Sequence, residues 1–241
     1  MSRIRIYCKP EGINDTLTLD DVSLLHKMKN VLRLKVLDTV FVFDGEGIEY
    51  RYQVRRIEKS KLIIEKTGIL RSEKNITPMI CLAFPLMKES KVTYILQKAT
   101  ELGVYRFLPF ICQRNTALKK SKAKLSRWRK IVIEATQQSN RVWLPMIEET
   151  RNLEDILDYD RDCGLVGYPR GMPLRSVLGE DSRRYKKFLV LVGPEGDFTN
   201  EELDLLRSKN FFLVNFSKNI LRSETAAIFF VGILHYFYNE S

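Results

Sequence analysis

Up to about Arg71 the apolar positions come in short runs separated by turn residues. Val40-Phe41-Val42-Phe43 leads into an Asp44-Gly45 turn, Tyr50 to Ile57 follows, and Leu62-Ile63-Ile64 comes next. Such runs predict strands joined by tight turns, and a small β-barrel is the natural assembly. The polar stretch Arg71-Ser72-Glu73-Lys74-Asn75, ending at Pro78, predicts a linker and divides the chain into residues 1–72 and 73–241. Beyond it the pattern alternates. Met79 to Phe84 predicts a strand, and Val92, Ile95, Leu96, Ala99 and Leu102 recur along one helical face. Phe107 to Ile111 predicts the next strand and Leu125 to Ser139 the next helix. A third strand ends at Leu165-Val166-Gly167, just before Pro169-Arg170-Gly171. Strands alternating with helices predict an α/β domain with a mostly parallel sheet.

The C-terminal third carries two loops, each between an apolar run and a helix. Phe188-Leu189-Val190-Leu191-Val192 reads as a buried parallel strand and is followed by Gly193-Pro194-Glu195-Gly196-Asp197-Phe198-Thr199. Thr199 with Glu202 forms a capping box that starts a helix and accounts for Glu201 and Glu202. Phe211 to Val214 reads as another strand, followed by a loop through Leu221. Ser223 is placed to cap the helix from Ala226 to Tyr238. Ligands of open α/β sheets bind at the carboxyl ends of strands, so two such loops in tandem point to one shared pocket.

These strings, with Ile220-Leu221-Arg222-Ser223-Glu224-Thr225-Ala226-Ala227, resemble those of the RsmE-type ribosomal RNA methyltransferases of the SPOUT class. The resemblance extends to His26-Lys27-Met28-Lys29-Asn30-Val31-Leu32-Arg33 with Lys35 and Asp44-Gly45. It continues through Lys98-Ala99-Thr100-Glu101-Leu102-Gly103-Val104 with Pro109 and Arg114. Trp128-Arg129-Lys130, Glu134-Ala135, Gln138 and Arg141 complete it. The resemblance implies a PUA-like barrel ahead of a trefoil-knotted α/β domain. It also implies transfer of a methyl group from S-adenosylmethionine to N3 of a uridine in small-subunit (16S) rRNA, on naked RNA or the assembled subunit, by a homodimer.

On that reading, Leu191, Gly193, Pro194, Gly196, Phe216, Ser217, Ile220, Leu221, Arg222 and Thr225 hold the cofactor. Methyl transfer is an in-line displacement, so the protein mainly orients donor and acceptor and excludes water. Uridine N3 carries a proton at neutral pH, so the site must remove it or stabilise the resulting anion. Glu195 and Glu224 are the candidate bases, each with a competing role in bonding loop amides, and Arg222 can steady negative charge on a uracil oxygen. Arg3, Arg5, His26 and Arg33 carry over as RNA contacts of the barrel, with Lys88, Lys98, Arg114, Gln138 and Arg141 in the second domain. Lys98 and Glu101 also stand at the spacing of a helical ion pair. Two departures from the family strings put side chains where bare backbone is expected: Asp197 in place of a glycine and Phe216-Ser217 in place of Leu-Gly. A left-handed backbone at either position would be strained.

Composition narrows the alternatives. A chain of 241 residues that is 44% hydrophobic can bury a large core, and its net charge of +10 suits a polyanionic partner. The charge is concentrated: Arg114 to Arg141 holds nine basic residues against the single acid Glu134, a segment suited to RNA phosphate. The four cysteines are scattered and there are only two histidines, which argues against a zinc site or a disulfide framework. The N-terminus lacks the apolar core of a signal peptide, and Ala226 to Tyr238 falls short of a membrane span, so a cytoplasmic protein is expected. That helix is apolar nearly all round and must be covered by core or by a second subunit; the resemblance favours the dimer. No Gly-x-Gly-x-x-Gly follows a strand, and no Walker string or nucleophile elbow is present. Two rivals remain: an RNA-binding assembly factor that has lost the donor, and a SPOUT enzyme acting on another RNA position.

Overall fold

The computed structural model describes residues 4–74, 76–115, 122–179 and 184–240, which form two compact units. The first comprises the residues up to 75 together with 140–144, and the second the remainder.

In the first unit, β1 (Arg5–Tyr7), β2 (Thr16–Leu19), β3 (Thr39–Phe43), β4 (Ile48–Ile57) and β5 (Leu62–Ser72) form a sheet in the order β1-β3-β4-β5-β2. β1 runs parallel to β3 and the other pairs are antiparallel. Alternation explains the core: Val40, Val42, Tyr52, Val54, Leu62 and Ile64 all point inward and are fully buried. Asp44 makes the expected turn, its Oδ1 accepting from the amides of Glu46 (2.8 Å) and Ile48 (3.0 Å). The His26–Arg33 string is helical only as far as Val31, and Arg33 beyond it has a φ of 51°. Asp21 caps α1 (Val22–His26) by accepting from the Leu24 amide at 2.8 Å, and a wider π turn continues through Val31.

β5 runs further than its apolar run. Arg71 and Ser72 belong to the strand and not to a linker, because the buried Glu49 holds Arg71 Nε at 2.9 Å. Glu49 also holds Arg5 Nε at 2.5 Å, and Arg5 donates to the Arg141 carbonyl at 2.7 Å.

In the second unit, β6 (Met79–Pro85), β7 (Arg106–Ile111), β8 (Met146–Ile147), β9 (Arg151–Asn152), β10 (Cys163–Pro173), β11 (Lys187–Val192) and β12 (Phe211–Asn215) form a sheet in which every pairing is parallel. The order is β12-β10-β11-β6-β7-β8, with β9 also on β7. The helices are α2 (Glu89–Glu101), α3 (Lys122–Gln138), α4 (Leu174–Leu178), α5 (Asn200–Ser208) and α6 (Ser223–Glu240). α2 buries Val92, Ile95, Leu96 and Ala99 as expected, but Leu102 lies beyond its end and is partly exposed, and Thr100 is buried instead. β10 continues six residues past Gly167 because its register against β12 shifts between Gly167 and Met172. That passage requires Gly171, where a Cβ would lie 2.5 Å from the Leu213 carbonyl oxygen. Because β10, β11 and β12 are parallel neighbours, the loops at their carboxyl ends share one edge.

Candidate active site

At that edge is a cavity of about 330 Å³, within the size range of small-molecule sites. Its wall comes from Gly167, Tyr168 and Pro169 after the first stretch of β10, from Val192–Glu195 and Asp197 after β11, and from Val214–Ser217 and Asn219–Ser223 after β12.

Specific bonds shape each loop. The Asp197 amide donates to the Pro194 carbonyl at 2.9 Å and closes the turn. Asp197 is left-handed, with φ of 61°, and its Oδ1 accepts from the Phe198 amide at 2.9 Å. Aspartate tolerates this region by such local bonding, so the departure from glycine is accommodated. Ser217 has no positive φ; its amide donates to Asn215 Oδ1 at 2.9 Å and its Oγ accepts from the Asn219 amide at 3.1 Å. Phe216 packs on Phe230 with ring centroids 4.5 Å apart, and a Cβ at Gly167 would be 3.1 Å from the Phe216 ring, close enough that the ring would have to shift by a few tenths of an ångström.

The loops are also tied together. Asn215 Nδ2 donates to the Pro169 carbonyl at 2.7 Å, and Ser223 Oγ donates to the Gly193 carbonyl at 2.6 Å. Ser223 therefore does not cap α6 with its side chain; it is the first helical residue and its hydroxyl joins the two loops. The capping box at Thr199 and Glu202 is present, and Glu202 further accepts from the Gln113 amide at 2.8 Å.

Of the residues expected to hold a cofactor, Gly193, Pro194, Phe216, Ser217, Ile220, Leu221 and Arg222 line the cavity. Leu191 does not: it is fully buried in the core beneath, and Val192 takes the lining position. Gly196 lies outside the lining, its carbonyl accepting from Arg114, and Thr225 is exposed on α6 outside it. Among the described residues Arg222 supplies the lining's one positive charge, opposite in sign to Glu195 and Asp197. Glu224 does not line the cavity, but it approaches Glu195 through Lys91, whose Nζ lies 2.7 Å from Glu195 Oε1 and 3.2 Å from Glu224 Oε2. The hydrogen bond to Glu195, opposed by desolvation and supported by Glu224, raises the Lys91 pKa. Lys91 escaped the sequence reading because charge spacing along α2 cannot show contacts to residues more than a hundred positions away. Tyr168 and Pro169 were missed too, although a glycine after a buried strand, here Gly167, is the signal that marked the loop after β11.

The expected RNA contacts separate. Arg3 lies outside the described residues. Arg5 is buried against Glu49, with its guanidinium 4.7 Å from the centre of the Phe43 ring, so it is a structural residue and not a surface one. Arg141 belongs to the first unit and not the second, and desolvation pulls its pKa down to about 10. His26 and Arg33 are exposed on the first unit, and Lys88, Arg114 and Gln138 on the second. Lys98 pairs with Glu101 at 2.8 Å, the bland alternative its spacing allowed. Of the basic segment, Lys119 and Lys120 lie outside the described residues, while Arg127, Arg129 and Lys130 are exposed on α3. No group of acidic, histidine and cysteine side chains among the described residues could hold a metal ion, and no described helix is long and apolar enough to cross a membrane.

Comparison with known proteins places this geometry. The RNA methyltransferase domain family matches residues 73–235, and the RNA methyltransferase PUA domain family matches residues 26–67. The ribosomal RNA small subunit methyltransferase E of Rickettsia conorii is 34% identical over 93% of this chain and 91% of its own length. Its Synechocystis namesake is 32% identical over 92% of this chain and 74% of its own length. The ribosomal RNA small subunit methyltransferase E of Neisseria gonorrhoeae, solved bound to S-adenosyl methionine, superposes with a TM-score of 0.84 at 27% identity over 98% of both chains.

Proposed function

The chain belongs to the RNA methyltransferase family, and from that premise we propose that it transfers a methyl group from S-adenosylmethionine to N3 of a uridine in 16S rRNA, on the small ribosomal subunit. The observation that carries this reading is the cavity built by the irregular stretch of β10 after Gly167 and by the loops after β11 and β12, with Gly193 and Leu221 both in its wall.

The residues fit the cofactor. Gly193, Pro194 and the 216–221 segment offer main-chain donors and acceptors, while Tyr168, Ile220 and Leu221 offer apolar surface to a flat heterocycle. When bound, S-adenosylmethionine supplies an electrophilic methyl group on a sulfonium sulfur. Arg222 holds the developing negative charge on a uracil oxygen, which lowers the cost of losing the N3 proton. The Ser223–Gly193 and Asn215–Pro169 bonds fix the walls before reaction, so little reorganisation accompanies it. His26 and Arg33 in the barrel unit, with Lys88, Arg114 and Gln138 in the methyltransferase unit, bind RNA.

The same reading makes the protein a cytoplasmic homodimer with a knotted C-terminal segment. Phe229 and Tyr236 support the dimer, being 45% and 59% exposed on an otherwise apolar α6. The order β12-β10-β11, in which β10 lies between the two strands that follow it in sequence, supports the threading. The test is transfer of labelled methyl to unmodified small subunits and to naked 16S rRNA in parallel, with the labelled nucleoside identified by chromatography. N3-methyluridine, mainly from subunits, is expected. Label in another nucleoside refutes the site of transfer, and tight RNA binding without label favours an assembly factor.

A further inference from the structure

Lys91 lies in the first turn of α2, far in sequence from both loops, yet its ammonium contacts the cavity-lining Glu195 and the first turn of α6 at Glu224. The two carboxylates differ in setting. The Glu195 side chain is 62% exposed, whereas that of Glu224 is 12% exposed and its Oε2 makes no aligned hydrogen bond, leaving the Lys91 charge as its compensation. The segments so joined are the same two that Ser223 and Gly193 join on the cavity side. Without a cation, two like charges face each other across the seam, one of them poorly hydrated, and each segment moves away from the other.

We propose that Lys91 is a positioning residue that clamps the Gly193–Phe198 turn to the start of α6, and that the clamp, more than proton transfer, is what Glu195 and Glu224 serve. The Lys91 ammonium at 2.7 Å from Glu195 Oε1 makes a charge-assisted hydrogen bond that anchors this carboxylate to the seam. The benefit to cofactor binding rests on the methyltransferase reading; the clamp itself does not.

Two measurements on the full chain keep those apart. In the free protein, hydrogen exchange at the Asp197 and Ala226 amides reports each side of the seam, since they donate to Pro194 and Arg222 respectively. Lys91→Met speeds both about tenfold, Lys91→Arg leaves them near wild type, and adding Glu224→Gln to Lys91→Met restores slow exchange by removing the buried charge. Calorimetric titration with S-adenosylmethionine follows the same order, with binding weakened about tenfold in Lys91→Met alone. Unchanged exchange in Lys91→Met, or no recovery with Glu224→Gln, overturns the clamp. A wild-type protein that shows the exchange pattern but binds no S-adenosylmethionine refutes the cofactor reading instead.

Discussion

Asp197 offers the sharpest test of how the turn after β11 is held. At φ of 61° it occupies a region that costs an ordinary L-residue about 1 kcal/mol, and its own Oδ1 bond to the Phe198 amide returns about 1 kcal/mol. Asp197→Ala keeps the backbone penalty and loses the bond, so it destabilises by about 1 kcal/mol. Asp197→Gly also loses the bond but is released from the penalty, and glycine's larger entropy loss on folding takes back roughly 0.7 kcal/mol. The net change for glycine is a destabilisation of about 1 kcal/mol or less, although glycine is the residue the family strings carry there. Urea unfolding followed through the buried Trp128, which lies in the same unit, measures both variants. The expected order is Asp, then Gly, then Ala. An alanine variant as stable as wild type, or a glycine variant more stable by over about 1 kcal/mol, would refute the reasoning that the side chain sustains the turn.

Gly171→Ala places a methyl 2.5 Å from the Leu213 carbonyl, so β10 and β12 separate; a loss of about 1–3 kcal/mol in urea unfolding is expected, together with weaker S-adenosylmethionine binding by calorimetry. Arg222 is exposed at the rim, so Arg222→Ala is expected to abolish methylation while leaving the circular dichroism spectrum and unfolding midpoint unchanged; wild-type turnover would remove it from the reaction. Burial raises the thiols of Cys81 to about 11 and of Cys112 and Cys163 to about 12, from an ordinary value of 9.0. The folded chain then keeps protons that the unfolded chain loses, so stability falls as pH rises from about 9 to 10. Above that, Arg141, with its pKa lowered to about 10, contributes in the opposite direction. Urea midpoints at pH 8, 9 and 10 check the sign.

The legible parts of this fold were those in which one physical signal dominated. The apolar runs of β6, β7, β11 and β12 and the period of α2 fixed their type because each buries a face, and the capping box at Thr199 fixed the start of α5. The cavity was legible at Gly193 and Pro194, which mark where backbone must turn at a strand end, and after β12 only through the resemblance of the 220–227 string. Bonds between distant segments were not. Arg71 was read as linker because a charged residue in a polar run carries no sign of a buried partner 22 residues earlier, and Arg5 read as surface for the same reason. The far half of β10 was hidden by Pro169 and Gly171, turn formers that here serve a register shift. Ser223 looked like a cap since its position suits one; only the approach of the Gly193 carbonyl turned its hydroxyl elsewhere.

The most direct test of the central claim is a crystal structure of the protein grown with S-adenosylhomocysteine, the product that remains after transfer. The account predicts the ligand in the cavity between Gly193 and Leu221, against main-chain groups of the loops after β11 and β12. A ligand bound elsewhere, with this cavity empty in the same crystal, would contradict it.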